Sequence, residues 1–419
     1  MAKIRSMKGV TRAAFGADAY GMPLPGPIPN PFPRTMGPNS MLYLQEVVDS
    51  GLTSDMVERF EKAFAAAVGA RHCISTPGCN VALHLLFASL SFEPGDEVIV
   101  SPVTDFGSIL GLCHEALIPV FPDTEPGSLN LSARTIEPCI TDRTRAILVV
   151  HKSGLLCDMD PIMALAKAHG LFMADDACQT IFSTYKGRPV GTLADATAFS
   201  FDAEKTMGSD VGGALVTDDG ELAERMRFLG YSRGAEMRPH FGRIHTEAGF
   251  AFRMAQCTAA ICLAQLETIR DNVANRHRVM RRLYDRLGRI PGILPPSIPD
   301  YQEVFSCWMA GFGLDPKLIH CDAETFAQEM VRAGIPGVGL ARYYLMPEGA
   351  AFLNEKAREH VYPYSMPPAG RDHSYSRENY PNAAHLLDHF VRWVISDRYT
   401  EQTVDLIVEI VETIARKYG

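Results

Sequence analysis

A chain of 419 residues, 47% of them hydrophobic, is long enough to bury one large α/β core and a smaller second one. Its net charge of -9 argues against nucleic acid or an anionic membrane as a partner, and no stretch of about 18 apolar residues offers a membrane span. The ten cysteines stand singly, without Cys-x-x-Cys pairs or histidines at ligand spacing, so they read as reduced, mostly buried thiols of a cytoplasmic protein with no metal site.

The N-terminus, Met1-Ala2-Lys3-Ile4-Arg5, leads into a mixed segment instead of the apolar run of a signal peptide. Residues 20–38 carry Pro23, Pro25, Pro27, Pro29, Pro31, Pro33 and Pro38, which exclude a regular helix and predict an extended arm lying across the protein or a dimer mate. From Leu42 onward the pattern alternates. A helix is predicted over 54–68, with Phe60 and Phe64 on one face, and another from Ala82; strands are predicted over 98–101, 118–121 and 145–150. A helix over 161–169 and strands over 171–174, 196–201 and 213–217 continue it, which predicts an α/β protein with a doubly wound, mostly parallel sheet. Residues 251–287 read as one or two long helices with Leu263, Leu266 and Ile269 as core, and Pro291, Pro295, Pro296 and Pro299 then break the chain. Segments 304–314, 323–333 and 401–417 suggest a small α+β domain. The expected organisation is an arm over 1–40, a large domain over 41–290 and a small C-terminal domain over 291–419.

The chemistry points to one lysine. In Phe199-Ser200-Phe201-Asp202-Ala203-Glu204-Lys205 an apolar-Ser-apolar strand end delivers Lys205 about thirty residues after Asp175-Asp176. Pyridoxal phosphate needs such a pair: an amine that forms a Schiff base with the cofactor aldehyde, and a carboxylate that keeps the pyridine nitrogen protonated. Asp176 closes the run Leu171-Phe172-Met173-Ala174, which places it at the C-terminal edge of a sheet, where α/β folds bind ligands. Taken singly, a lysine is ordinarily a solvated surface residue, and Asp176 has the competing reading of a cap on a helix beginning at Ala177.

The order of several motifs decides between these readings. Gly95-Asp96-Glu97-Val98-Ile99-Val100 is followed by Val150-His151 with Gly154, Asp158-Met159-Asp160, and Asp175-Asp176-Ala177-Cys178-Gln179. Then come Tyr185-Lys186-Gly187, Gly191-Thr192, Ser200-Phe201, Lys205, Gly212-Gly213, Arg253-Met254 and Ala264-Gln265-Leu266. From about Leu42 to Tyr418 the chain thereby resembles the DegT/StrS sugar aminotransferases, fold-type-I pyridoxal phosphate enzymes with the aspartate aminotransferase fold.

The resemblance implies that Lys205 is the Schiff-base lysine, Asp176 the pyridinium partner, Gln179 a ligand on the cofactor's phenolic side and Ser200 a phosphate ligand. Gln179 as a plain polar helix residue and Ser200 as a strand-end hydroxyl bonded to backbone are the alternatives. Thr76-Pro77-Gly78-Cys79-Asn80 precedes a helical run, so backbone N–H groups at Gly78, Cys79 and Asn80 are expected to hold the phosphate. Cys79 and Asn80 stand there in place of the family's usual Gly-Thr. Phe106 is the expected aromatic stacked on the cofactor ring, with an ordinary core phenylalanine as the alternative. Ala251 replaces the asparagine with which the family reaches the phosphate across a dimer interface, and the resemblance implies a homodimer.

As a family inference the reaction has two halves, with glutamate or glutamine as amino donor and a ketone on a sugar or cyclitol ring as acceptor. A scyllo-inosose-type ketocyclitol, as in aminoglycoside or amino-sugar biosynthesis, is preferred to a nucleotide-linked keto-sugar or keto-octulosonate for surface glycan. Asp105, His151, Arg253, Arg342, Tyr343 and Tyr344 are the candidate substrate contacts. A dehydratase on this fold replaces the lysine with histidine, a non-catalytic homologue has no need of Lys205, Asp176, Gln179 and Ser200 together, and an amino acid aminotransferase calls for an arginine clamp that the sequence does not reveal.

Overall fold

The computed structural model describes residues 28–419 apart from residue 359 and the side chain of Arg358; Pro23, Pro25 and Pro27 of the expected arm lie outside the described residues. Strands in chain order are β1 (His72–Thr76), β2 (Glu97–Val100), β3 (Ile118–Val120), β4 (Thr144–Val150), β5 (Phe172–Asp176), β6 (Thr184–Tyr185), β7 (Arg188–Pro189), β8 (Ala196–Ser200) and β9 (Gly213–Thr217). Seven of them form one sheet in the order β1-β9-β8-β5-β4-β2-β3. Strands β3, β2, β4, β5 and β8 run parallel, whereas β9 is antiparallel to both β1 and β8. Strands β2, β3, β8 and β9 are buried along their whole length, the signature of a sheet covered by helices on both faces.

Helix Met56–Val68 shows how the covering works. Phe60 and Phe64 recur four residues apart, share a face and are fully buried, and the Phe64 ring meets Phe199 and Phe201 edge-on at 5.1 and 5.2 Å. The helix stops at Gly69, whose φ of 81° is the left-handed conformation that glycine adopts at little cost. Segment 251–287 forms two helices, Gln256–Leu266 and Ile269–Leu287. Helices Ser40–Asp49, Gly107–His114 and Gly220–Gly230, strand β1, and the hairpin of β10 (Ala235–Arg238) with β11 (Gly242–His245) add to the elements predicted from sequence.

The later strands are β12 (Ile293–Leu294), β13 (Gln302–Val304), β14 (Met309–Leu314), β15 (Val338–Gly339) and β16 (Phe390–Val394). Four of these form an antiparallel sheet, β12-β14-β16-β15, while β13 joins β6 and β7. That sheet and helices Ala323–Arg332 and Glu401–Tyr418 enclose a second core around Phe312, Phe326, Trp393 and Ile407. Helix Ile269–Leu287 serves both cores, since Ile269 and Val273 pack in the first and Val279, Leu283 and Leu287 in the second. Tyr343, Leu353, Tyr375 and Leu387 return to the first core. We propose that the two cores mark the two domains.

Residues 28–39 contain no helix or strand. Ile28 is buried in the second core, Arg398 donates to the Asn30 carbonyl at 2.7 Å, and Gly37 packs so closely on the Ala264 carbonyl that a Cβ there would lie 2.2 Å from its oxygen. Among the described residues no helix is long and apolar enough to cross a membrane.

Candidate active site

Strands β5 and β8 are parallel neighbours, with Asp176 paired to Ala198, so Asp176 and Ser200 reach the same C-terminal sheet edge. The chain then turns back on itself before β9. Lys205 N–H donates to the Asp202 carbonyl at 2.9 Å, and the Glu204 carbonyl accepts both the Trp308 indole N–H at 3.0 Å and the Arg34 guanidinium. Residues from the N-terminal segment and from beyond residue 300 thus fix the backbone that carries Lys205.

The half-buried Lys205 side chain places Nζ 3.8 Å from the centroid of the Trp308 ring and 4.0 Å from Cys178 Sγ, with no carboxylate at ion-pair distance among the described residues. Burial lowers the pKa of this amine, but Cys178, Asp176, Cys79 and Asp202 outweigh it and the net direction is upward. Asp176 is buried, its Oδ2 accepting from Ser108 Oγ at 2.7 Å and its Oδ1 from the Cys178 N–H at 3.1 Å. Cys79 Sγ lies 3.9 Å from Oδ1. No helix begins at Ala177, so Asp176 is not a helix cap, and Gln179 sits in a turn with its Oε1 accepting the Ser153 N–H at 2.6 Å.

Helix Cys79–Ser89 starts at Gly78 with no side chain capping it and no acidic residue in its first turn. Its first-turn N–H groups are therefore available to an anion. Gly213 of β9 presses against this terminus, where a Cβ would lie 2.5 Å from both Cys79 N and the Gly78 carbonyl carbon. Ser200 Oγ, at the neighbouring strand end, accepts the Asp202 N–H at 3.3 Å. Phe106 is 37% exposed and not a core residue, its ring edge-on to Phe352 at 5.7 Å. Asp105 and Asn80 meet at Gly107, whose Cβ would lie 3.2 Å from Asp105 Oδ1 and 3.3 Å from Asn80 Cβ.

Two candidate substrate residues are corrected. His151 is fully buried, its Nδ1 accepting the Cys157 N–H at 3.1 Å and its Nε2 lying 3.2 Å from Asp175 Oδ1, itself fully buried. Alternation along β5 sends Asp175 and Asp176 to opposite faces, and His151 follows Asp175 away from the site. Arg342 is engaged by Glu348 and by Asp388 at 3.0 Å in a surface cluster shared with Arg377. Tyr343 is buried and Tyr344 exposed, while Arg253 and Ala251 are both exposed, Arg253 having no ion pair among the described residues. Sequence reasoning missed Ser108, which donates to Asp176, and Trp308, which lies against Lys205; only Trp308, one of two tryptophans, carries a signal in composition. A separate cavity of about 920 Å³, lined by Asn130, Leu131, Leu294, Asp315 and His389 among others, touches none of Lys205, Asp176, Gln179 and Ser200.

A lysine amine without a carboxylate partner, a buried carboxylate with a donor on each oxygen, and an uncapped helix N-terminus converge on one sheet edge, and this set fits pyridoxal phosphate. The fold and site define a fold-type-I, pyridoxal-phosphate-dependent aminotransferase. The sequence model of the DegT/DnrJ/EryC1/StrS aminotransferase family matches residues 35–412, and the chain belongs to that family. It is 32% identical over 391 residues to the spore coat polysaccharide biosynthesis protein SpsC of Bacillus subtilis, covering 91% of this chain and 95% of that one. It is 38% identical over 261 residues to the GDP-perosamine synthase of Caulobacter vibrioides, covering 62% and 69%. Among solved structures, 3-amino-5-hydroxybenzoic acid synthase superposes with a TM-score of 0.79 at 25% identity, covering 93% of this chain and all of that one. DesV of S. venezuelae gives 0.76 at 25% identity, covering 90% and 94%.

Proposed function

We propose that the protein moves an amino group from glutamate or glutamine to a ketone on a sugar or cyclitol ring. The observation that carries this reading is the placement of Lys205 and Asp176 at one sheet edge beside the open N-terminus of helix Cys79–Ser89. Pyridoxal phosphate, when bound, supplies an aldehyde that exchanges amines and a ring that accepts the electron pair left when a proton departs.

Lys205 would hold the cofactor through its amine, and that amine, when free, would serve as the base that takes the proton from the donor's alpha carbon. Asp176, fixed by Ser108 and the Cys178 N–H, keeps the proton on the ring nitrogen. The N–H groups of Gly78, Cys79 and Asn80, with the Ser200 hydroxyl, would hold the phosphate, Gln179 would serve the phenolic side and Phe106 would supply the aromatic for the ring. Trp308, buried and 3.8 Å from Lys205 Nζ, excludes water from that side of the amine. Asp105 and the Tyr343 hydroxyl take ring hydroxyls of the acceptor.

A free ketocyclitol of the scyllo-inosose type is the first acceptor reading. A nucleotide-linked keto-sugar is the second, supported by the 38% identity to a protein named GDP-perosamine synthase. We also propose a homodimer, supported by Met237 and Phe241, 76% and 74% exposed around the β10–β11 turn. The test is the reverse reaction: the pyridoxal form is incubated with amino sugars, aminocyclitols and nucleotide-linked amino sugars, and conversion to the pyridoxamine form is followed by absorbance. Conversion by a free aminocyclitol alone supports the first reading and conversion by a nucleotide-linked amino sugar the second. Conversion by none contradicts the ring-ketone acceptor.

A further inference from the structure

Beside Lys205 lies a pair of basic side chains that the proposed chemistry does not use. Lys152 is 2% exposed, and its Nζ has no hydrogen-bond partner among the described residues. That amine lies 2.9 Å from the centroid of the Tyr343 ring and 5.8 Å from that of Trp308, the ring that also contacts Lys205. Lys152 also borders the separate cavity, whereas Tyr343 and Trp308 do not line it.

Arg392 of β16 approaches the same Tyr343 ring, its guanidinium carbon 5.4 Å from the centroid. Among the described residues it donates to the Met309 sulfur at 3.5 Å and the Ala341 carbonyl at 3.3 Å, and its Nε is buried without a partner. Lysine and arginine are rarely buried unless paired. An aromatic face returns about 2 kcal/mol, less than the several kcal/mol that burying an ion costs.

The placement of Lys152 is enforced. Ser153, the next residue, has a φ of 58°, a strained conformation for a side-chain-bearing residue, and its N–H is held by Gln179 of the cofactor site at 2.6 Å. The groups facing the Lys152 amine are Arg392, Lys205, Cys178 and Asp105, with the rings of Tyr343 and Trp308. Burial, then Arg392 and Lys205, push its pKa well below the ordinary lysine value, against the pull of Cys178 and Asp105.

We propose that Lys152, together with Arg392, forms an oxyanion subsite of the active site that receives a carboxylate or phosphate group of a substrate. The subsite rests on Lys205 being the cofactor lysine and is independent of which ring ketone is the acceptor.

The test uses holoenzyme, so that the cofactor's own phosphate position is filled, and two unreactive probes, glutarate and inorganic phosphate, with binding read by calorimetry. Wild type should bind at least one probe, Lys152→Met should weaken that binding at least tenfold, and Lys152→Arg should keep it within a few-fold. Affinity in wild type should fall as pH rises, beginning below the ordinary lysine range, and this dependence should vanish in Lys152→Met. Preference for glutarate assigns the subsite to a carboxylate, and preference for phosphate to a phosphorylated substrate. No binding by wild type, equal binding by Lys152→Met, or failure of Lys152→Met to fold would each overturn the proposal, the last because a lysine kept for a ligand is not needed for folding. Cofactor absorbance in the same samples reports separately on Lys205.

Discussion

Ser108 Oγ donates to Asp176 Oδ2 at 2.7 Å and lies 2.6 Å from the Thr104 hydroxyl, so a side chain of helix Gly107–His114 helps to aim the carboxylate assigned to the cofactor nitrogen. Removing that donor should cost what a hydrogen bond to a charged group is worth, about 1.5–3 kcal/mol. Ser108→Ala is therefore expected to lower kcat roughly tenfold to a hundredfold. Asp176→Asn removes the charge itself and should lower kcat by about 10² to 10⁴. Half-reaction kinetics with donor alone check both, and an Asp176→Asn enzyme as fast as wild type contradicts its role.

The cofactor-free protein should carry a pH-dependent penalty at Lys152. Its pKa in the folded state is lowered, so over the interval between that value and the unfolded one the unfolded chain binds more protons, and stability rises with pH through that interval. Below the folded pKa the full penalty is present. Lys152→Met is thus expected to unfold at higher temperature than wild type at neutral pH, with the difference disappearing near pH ~10.4. Thermal melts across pH check the sign.

Gly213 should resist substitution for a steric reason. A methyl group placed 2.5 Å from Cys79 N must push β9 away from the helix terminus assigned to the phosphate. Gly213→Ala is expected to cost about 1–3 kcal/mol of stability, as overpacking does, and to weaken cofactor retention on dialysis. Unchanged retention would move the phosphate elsewhere.

If a second copy covers the β10–β11 hairpin, then charge there should be disruptive. Phe241→Asp combined with Met237→Asp is expected to shift the sedimentation coefficient toward the monomer, and an unshifted dimer would place the interface on another surface.

The helix and strand positions were legible because apolar runs and alternation follow directly from burial on a two-sided sheet: segment 213–217 coincides with β9, and segment 196–201 exceeds β8 by one residue. The direction of β9 was not legible, since strand periodicity carries no sign. Asp176 stands out because it ends β5, and Lys205 because it lies five residues beyond the end of β8, which ties both to the same sheet edge. His151 is misread from sequence because its neighbour on the next strand, Asp175, is one residue away from Asp176 and faces the other way. Arg342 is misread because carboxylates 6 and 46 residues away claim it. Trp308, Lys152 and Arg392 come from three distant segments, and only tertiary packing brings them to one place.

Two lysines, Lys205 and Lys152, flank the Trp308 ring, and the cofactor is assigned to the first. The direct measurement is borohydride reduction of the holoenzyme followed by mass mapping of the modified peptide. The pyridoxyl mass is expected on Lys205, with none in Lys205→Ala protein; the mass on Lys152, or a reducible linkage surviving in Lys205→Ala, would contradict the assignment.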